Sequence, residues 1–168
     1  MPYAGGLKRA KAQEAPRREE PMTDFPELGT FCRQIVENAG DAIVVADREG
    51  LIRLWNHGAQ KIFGYPPAEA FGRSLDLIIP ETMRFRHWEG YHKVMATGET
   101  RYGDSMLAVP ALHRDGRRLS IEFTVIPLHD EAGRMLGIAS IIRDVSERWQ
   151  KEQALRKRLT ELESRGGK

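Results

Sequence analysis

The amino-acid sequence predicts an α+β fold: one five-stranded antiparallel sheet, helices gathered on one of its faces, and a flanking helix at each end. Three observations predict it. Five short β-rich runs are bounded by turns that contain Gly, most of them with Asp. The middle of the chain is too broken by Gly and Pro for more than one long helix. The N-terminal and C-terminal runs space their apolar residues at helical intervals. Strands in hairpin-like succession with helices between two groups of them fit a sheet covered on one side. The 168 residues, 40% hydrophobic and 30% charged, suit a single core with looser ends.

Residues 1–22 carry five Lys/Arg and three Glu with almost no large apolar residue, a balance that does not offset the entropy of ordering. They are expected to be a disordered basic segment, with Met22 as an alternative start. No apolar stretch resembles a signal peptide or approaches the roughly 18 residues that span a bilayer. A cytoplasmic protein without membrane contact is the expectation.

The domain itself is expected over residues 23–146. Leu28 to Asn38 forms a short lead-in helix, with apolar residues at 28, 31, 32, 35 and 36 and Gly40 as its stop. Ala42 to Ala46 and Leu51 to Trp55 form a hairpin around Asp47 to Gly50. Gly58, Gly64, Pro66, Pro67, Gly72 and Pro80 confine the next stretch to short helical turns. Glu81 to Thr97 is the longest helix of the core, with Gly98 placed as its C-cap. Three extended runs follow, Tyr102 to Leu112, Leu119 to Leu128 and Met135 to Arg143, joined by the turns HRDGRR and HDEAGR. Residues 147–168 form a C-terminal helix whose start, Asp144 with Glu147 three residues on, has the pattern of a capping box. Val145, Leu155, Leu159 and Leu162 follow heptad spacing over fewer than three clean heptads. Either a surface helix on its own domain or a short signalling coiled coil satisfies that pattern.

Composition removes several functions. Cys32 is the only cysteine, so an internal disulfide is impossible and a Cys-based metal cluster would need other chains; it reads as a small apolar residue on a helix face. The net charge of +2, without aromatic residues among the terminal basic groups, does not indicate nucleic acid. Ser120 and Ser140 lack a nucleophile-elbow motif, and no phosphate-binding Gly loop occurs. No enzyme activity is expected.

The stretches DAIVVADREGLIRLWNHGAQKIFGYPPAEAFGRSLDLIIP and HRDGRRLSIEFTVIPLHDEAGRMLGIASIIRDVSER resemble the two halves of a PAS domain of the S-box type. Asn56, Phe63-Gly64-Tyr65, Asp115-Gly116 and Asp144-Val145-Ser146 stand in their usual order. The resemblance covers about Phe31 to Arg148 and implies a PAS fold with signalling and dimerising roles. The fold sets no single ligand, so function must come from the pocket.

His87 is the candidate that decides the function. On a helical wheel Met83, Trp88, Tyr91, Val94 and Met95 share one arc, and Arg86, Glu89 and Lys93 lie opposite. His87 falls inside the apolar arc and His92 at its edge; His57, His113 and His129 lie in or beside turns and are expected to be exposed. A buried imidazole needs a partner for its nitrogens, either haem iron or a hydrogen bond to backbone or Tyr. The segment IPETMRFRH resembles that of haem-binding PAS sensors of the FixL and oxygen-responsive phosphodiesterase kind, in which the axial histidine closes this segment. The resemblance implies heme b on His87, with Met83, Tyr91, Met106 and Leu107 around it. Leu107 stands where tight oxygen binders place an Arg, which implies weakened oxygen affinity, with carbon monoxide less affected. Met106 is a candidate sixth ligand if Gly103-Asp104-Ser105 bulges; without a bulge Leu107 lines the pocket and Met106 points away. The resulting expectation is a haem-bearing, homodimeric sensor of a diatomic gas (CO, NO or O2) or redox state, acting on a downstream signalling protein. The alternative is a haem-free PAS interaction module that binds a small metabolite or no ligand.

Overall fold

The computed structural model describes residues 27–100 and 105–166. The basic segment 1–22 lies outside the described residues, as do Tyr102, Gly103 and Asp104. The lead-in helix α1 runs Leu28–Asn38 and is followed by the hairpin β1 (Ala42–Asp47) and β2 (Ile52–Trp55). Asp47 shapes the turn: its Oδ1 accepts from the Glu49 and Leu51 amides, and its carbonyl accepts from Gly50 N–H at 2.9 Å. Leu51, expected inside the second strand, makes only an isolated bridge to Ser74. The turn's own hydrogen bond to Asp47 holds its amide away from the ladder.

Short elements α2 (His57–Phe63), α3 (Pro67–Ala70) and a 3-10 turn (Leu75–Leu77) follow; Gly64 caps the first, and the other two end at Phe71 and Ile78, shortly before Gly72 and Pro80. Then α4 spans Glu81–Thr97, with Gly98 at φ +70° supplying the left-handed cap. The remaining strands are β3 (Leu107–Leu112), β4 (Arg118–His129) and β5 (Met135–Asp144). The third run therefore begins later than Tyr102, since Ser105 and Met106 are not part of the strand. The sheet order is β2-β1-β5-β4-β3 with antiparallel pairing throughout.

Period-two alternation sorts the faces. Ala42, Val44 and Ala46 of β1, Ala111 of β3, Leu119 and Ile121 of β4, and Ile138 and Ile142 of β5 are buried in one core. From α2 and α4 the core receives Ala59, Phe63, Tyr91 and Met95.

The final helix α5 covers Ser146–Gly166. Its start corrects the capping-box expectation: the Asp144 carboxylate accepts from the amide and hydroxyl of Ser146, not from Glu147. The cause is that Ser146 is held elsewhere as well, because its Oγ accepts from Ser120 N–H at 2.9 Å while Val145 N–H donates to the Ser120 carbonyl at 2.8 Å. Arg148 pairs with Glu122 and completes the tie to β4. Beyond that anchor the helix leaves the domain, and Leu155, Leu159 and Leu162 are exposed. They do not pack on their own domain. Leu28, Cys32 and Ile35 of α1 are exposed in the same way.

Candidate functional site

The site is built on α4. Its first two turns lie over the β1–β2 turn because Gly50, at φ +77°, has no Cβ; one placed there would fall within 3.0 Å of the Trp88 six-membered ring. Trp88 Nε1 donates to Asp76 Oδ1 at 2.9 Å, and the Tyr91 hydroxyl donates to the Asp47 carbonyl at 2.5 Å. Burial, with Asp47 and Glu49 nearby, pushes the Tyr91 phenol far up, so it stays a donor throughout.

His87 lies between these clamps. Its ring meets Trp88 edge-on at 4.9 Å and Tyr91 at 5.7 Å between centroids. Its Nδ1 is buried and has no hydrogen-bond partner among the described residues. Such an orphan costs on the order of 1 to 3 kcal/mol. Desolvation lowers the pKa of His87, with His92 adding to that effect and Asp76 opposing it. The ring is therefore neutral near pH 7, the form that binds metals.

A pH prediction follows from that depressed value. Above the ordinary value of 6.5 the ring is neutral folded or unfolded, and its contribution to stability is constant. Below it the unfolded chain takes up a proton that the folded ring refuses, so stability falls as pH drops toward the depressed value. Urea titrations between that point and the carboxylate range are expected to show this slope in wild type and to lose it in His87→Gln. An unchanged slope in the variant would assign the effect to another group.

The other residues expected at the site separate. Met83 is half-buried on α4 and Tyr91 is buried. Leu107 pairs with Phe123 and shares the core-facing side with Val109 and Ala111. Met106 is 61% exposed and lines a shallow groove on the other face with Glu122, Thr124 and Arg143. The structure does not bring Met106 to His87. The bulge that would turn it inward falls on Gly103 and Asp104, outside the described residues. His92 is exposed and stacks on Trp88 at 5.9 Å; His57 and His129 are exposed. His113 corrects its expectation. Its side chain is 16% exposed, because Gly64 lacks the Cβ that would otherwise occupy the space of the imidazole.

The chemistry of these residues suits haem in two respects. The donor is a desolvated, neutral imidazole without a partner. An apolar wall is present as well: Leu107, Val109, Phe123 and Val125 lie on the core-facing side of β3 and β4 and are half-buried. Apolar side chains on a core face are the lining that an apolar ligand needs. A cleft on the outside of the domain, lined by Arg73, Asp76, Arg84 and Arg114, does not include His87. Among the described residues no group of three His, Cys, Asp or Glu side chains is arranged to hold a metal ion by itself.

An antiparallel sheet in this strand order, with short helices and one longer helix carrying a half-buried imidazole, defines a small α+β domain. The chain belongs to the PAS family: the family model for the PAS fold matches residues 30–145. It is similar to the Sensor protein FixL of Bradyrhizobium diazoefficiens, 28% identical over 138 residues, 79% of this chain and 26% of that protein. It is also similar to the Oxygen sensor protein DosP of Escherichia coli, 26% identical over 126 residues, 74% of this chain and 15% of that protein. The PAS domain of a Colwellia psychrerythraea protein superposes with a TM-score of 0.64 at 24% identity, over 72% of this chain and 99% of that one. The chain thus spans about a quarter or less of the length of these two curated relatives. Among the described residues no helix is long and apolar enough to cross a membrane.

Asn56, which the sequence marks only by its place in the motif order, ties three segments of the domain together. It is 4% exposed. Its Oδ1 accepts from Ile43 N–H and Ala59 N–H, both at 2.9 Å, and its Nδ2 donates to the Val36 and Asp41 carbonyls at 2.9 and 3.1 Å. A single Asn before a short helix signals an N-cap; nothing local signals the other three bonds.

Proposed function

We propose that this PAS domain is a sensor that holds b-type haem through His87. The observation that carries the reading is the imidazole: buried at Nδ1, unpartnered and kept neutral. The half-buried wall of Leu107, Val109, Phe123 and Val125 supports it by offering apolar side chains on the core-facing side of the sheet. The likeness to a protein named as an oxygen sensor supports it further. Bound haem supplies an iron that takes a diatomic gas (CO, NO or O2) or changes oxidation state. The chain's own part is to orient the ring and to move. Trp88 and Tyr91 fix α4 on the β1–β2 turn, and Phe123 and Val125 place β4 against the ligand's seat. Strand β4 in turn holds α5 through Ser120 and Glu122. A shift of β4 therefore reaches α5, which carries the signal to a downstream protein. A second copy of the chain is the expected cover for the exposed Leu28 and Ile35 of α1 and Leu155, Leu159 and Leu162 of α5. Sedimentation velocity at rising concentration reads that assembly, and a monomer throughout the micromolar range would remove it.

Purified protein given haemin is expected to show a Soret band that shifts on reduction and on addition of carbon monoxide, and His87→Ala is expected to lose it. Wild-type protein that stays colourless would overturn the haem assignment. A second reading, a haem-free interaction module, has its own support in the close seating of Trp88 on Gly50 and the short bond from Tyr91 to Asp47. These contacts close the β1–β2 end of the site. A colourless protein that still dimerises would establish that reading.

A further inference from the structure

A cleft of about 410 Å³ lies outside the core, between the end of α2, the segment before α4, the first turns of α4 and the β3–β4 turn. Its lining contributes three guanidinium groups, Arg73, Arg84 and Arg114, against one carboxylate, Asp76. The hydroxyls of Tyr65 and Ser74 add two further donors.

The partners of these groups are unequal. Arg114 reaches Glu69 at 3.1 Å and lies 5.8 Å from the centre of the Tyr65 ring. Arg84 donates to the Asp76 and Ile79 carbonyls at 3.1 and 3.3 Å, while the Asp76 carboxylate is 3.6 Å away. Asp76 is itself engaged by Trp88 Nε1. The Arg73 backbone bonds to Ile52 and Ala70, but its exposed guanidinium has no hydrogen bond or ion pair among the described residues. The cleft therefore holds more donors than acceptors and more positive than negative charge.

We propose that this cleft binds a small organic polyanion through its carboxylate or phosphate oxygens, with Arg73 and Arg84 as the principal contacts. Planar guanidinium groups engage such oxygens in pairs. The volume falls in the range of small-ligand sites. Asp76 connects the cleft to the helix that carries His87, because the same side chain lies beside Arg84 and accepts from Trp88. An anion that draws Arg84 away from Asp76 changes the charge next to the Trp88 indole. The cleft site stands independently of haem.

The test uses the full chain and citrate as the probe, titrated at constant ionic strength with sodium chloride as the balancing salt. Thermal unfolding midpoint and tryptophan emission are read together. Wild type is expected to show a saturable rise in midpoint and a saturable change in emission. Arg73→Gln is expected to weaken the apparent affinity about tenfold, the loss of one charge-assisted contact. Arg117→Gln, which removes an exposed guanidinium of the neighbouring turn, is expected to leave the affinity unchanged. Trp88→Phe is expected to retain the midpoint shift and lose the emission change. A rise that does not saturate, or one equal in wild type and Arg73→Gln, would mark a general ionic effect and overturn the site, as would no rise at all.

Discussion

Asn56→Ala is expected to lower the free energy of unfolding by on the order of 3 to 5 kcal/mol, a large part of what a domain of this size possesses. The cost has two sources. Loss of the N-cap on α2 accounts for about 0.5 to 2 kcal/mol. The remainder comes from stranding the Ile43 amide and the Val36 and Asp41 carbonyls, all of which now bond to the one buried amide group. Those three groups belong to β1, to the last turn of α1 and to the connection between them, so the substitution loosens the lead-in helix along with the cap. Urea denaturation monitored by far-UV circular dichroism measures the effect. Asn56→Asp keeps an acceptor for both amides but sets a carboxylate against two carbonyls, and is expected to recover little. Full recovery in Asn56→Asp would show that the two bonds accepted from Ile43 and Ala59 carry the effect and the donated ones do not, and a loss under about 1 kcal/mol in Asn56→Ala would show that water replaces the side chain.

The elements that local pattern controls were legible in the sequence. Both α1 and α4 begin and end where apolar spacing and Gly stops place them, because each is bounded by residues that determine the backbone directly. The wheel also put His87 among Trp88 and Tyr91, since the buried arc of a helix follows from its own residues. Features that depend on several segments were not legible. The cleft draws on four stretches between Tyr65 and Gly116, and no spacing within any of them marks a shared wall. His113 looked like a turn residue because its neighbours are Arg and Asp; that it packs where Gly64 has no side chain is a tertiary fact. The start of α5 misled for a similar reason. Asp144 has the residue type and spacing of a cap, but the bond from Ser120 to Ser146 fixes the chain one residue later.

Gly137→Ala is expected to destabilise the domain by about 3 kcal/mol, the upper end of what overpacking costs. Gly137 sits in β5 opposite Asp47 of β1, and a Cβ added to it would come within 3.0 Å of the Ala46 carbonyl oxygen. No rotamer change relieves that overlap, because the obstructing atom is backbone in the centre of the sheet. Relief requires β1 and β5 to separate. The register of β1 against β2 already shifts between Val45 and Ala46, so the strand has little freedom to move outward at that point. The disturbance also reaches the site, because the Asp47 carbonyl that receives the Tyr91 hydroxyl lies in the next residue of β1. Gly90→Ala provides the contrast. That position, within α4, has nothing within 4 Å of an added Cβ, and the substitution is expected to raise stability by about 0.5 to 1 kcal/mol through helix propensity. Thermal and urea unfolding of the two variants side by side measures both. Effects of similar size and sign would show that β1 and β5 part readily at Gly137, and that Tyr91 is not held in place by the sheet beneath it.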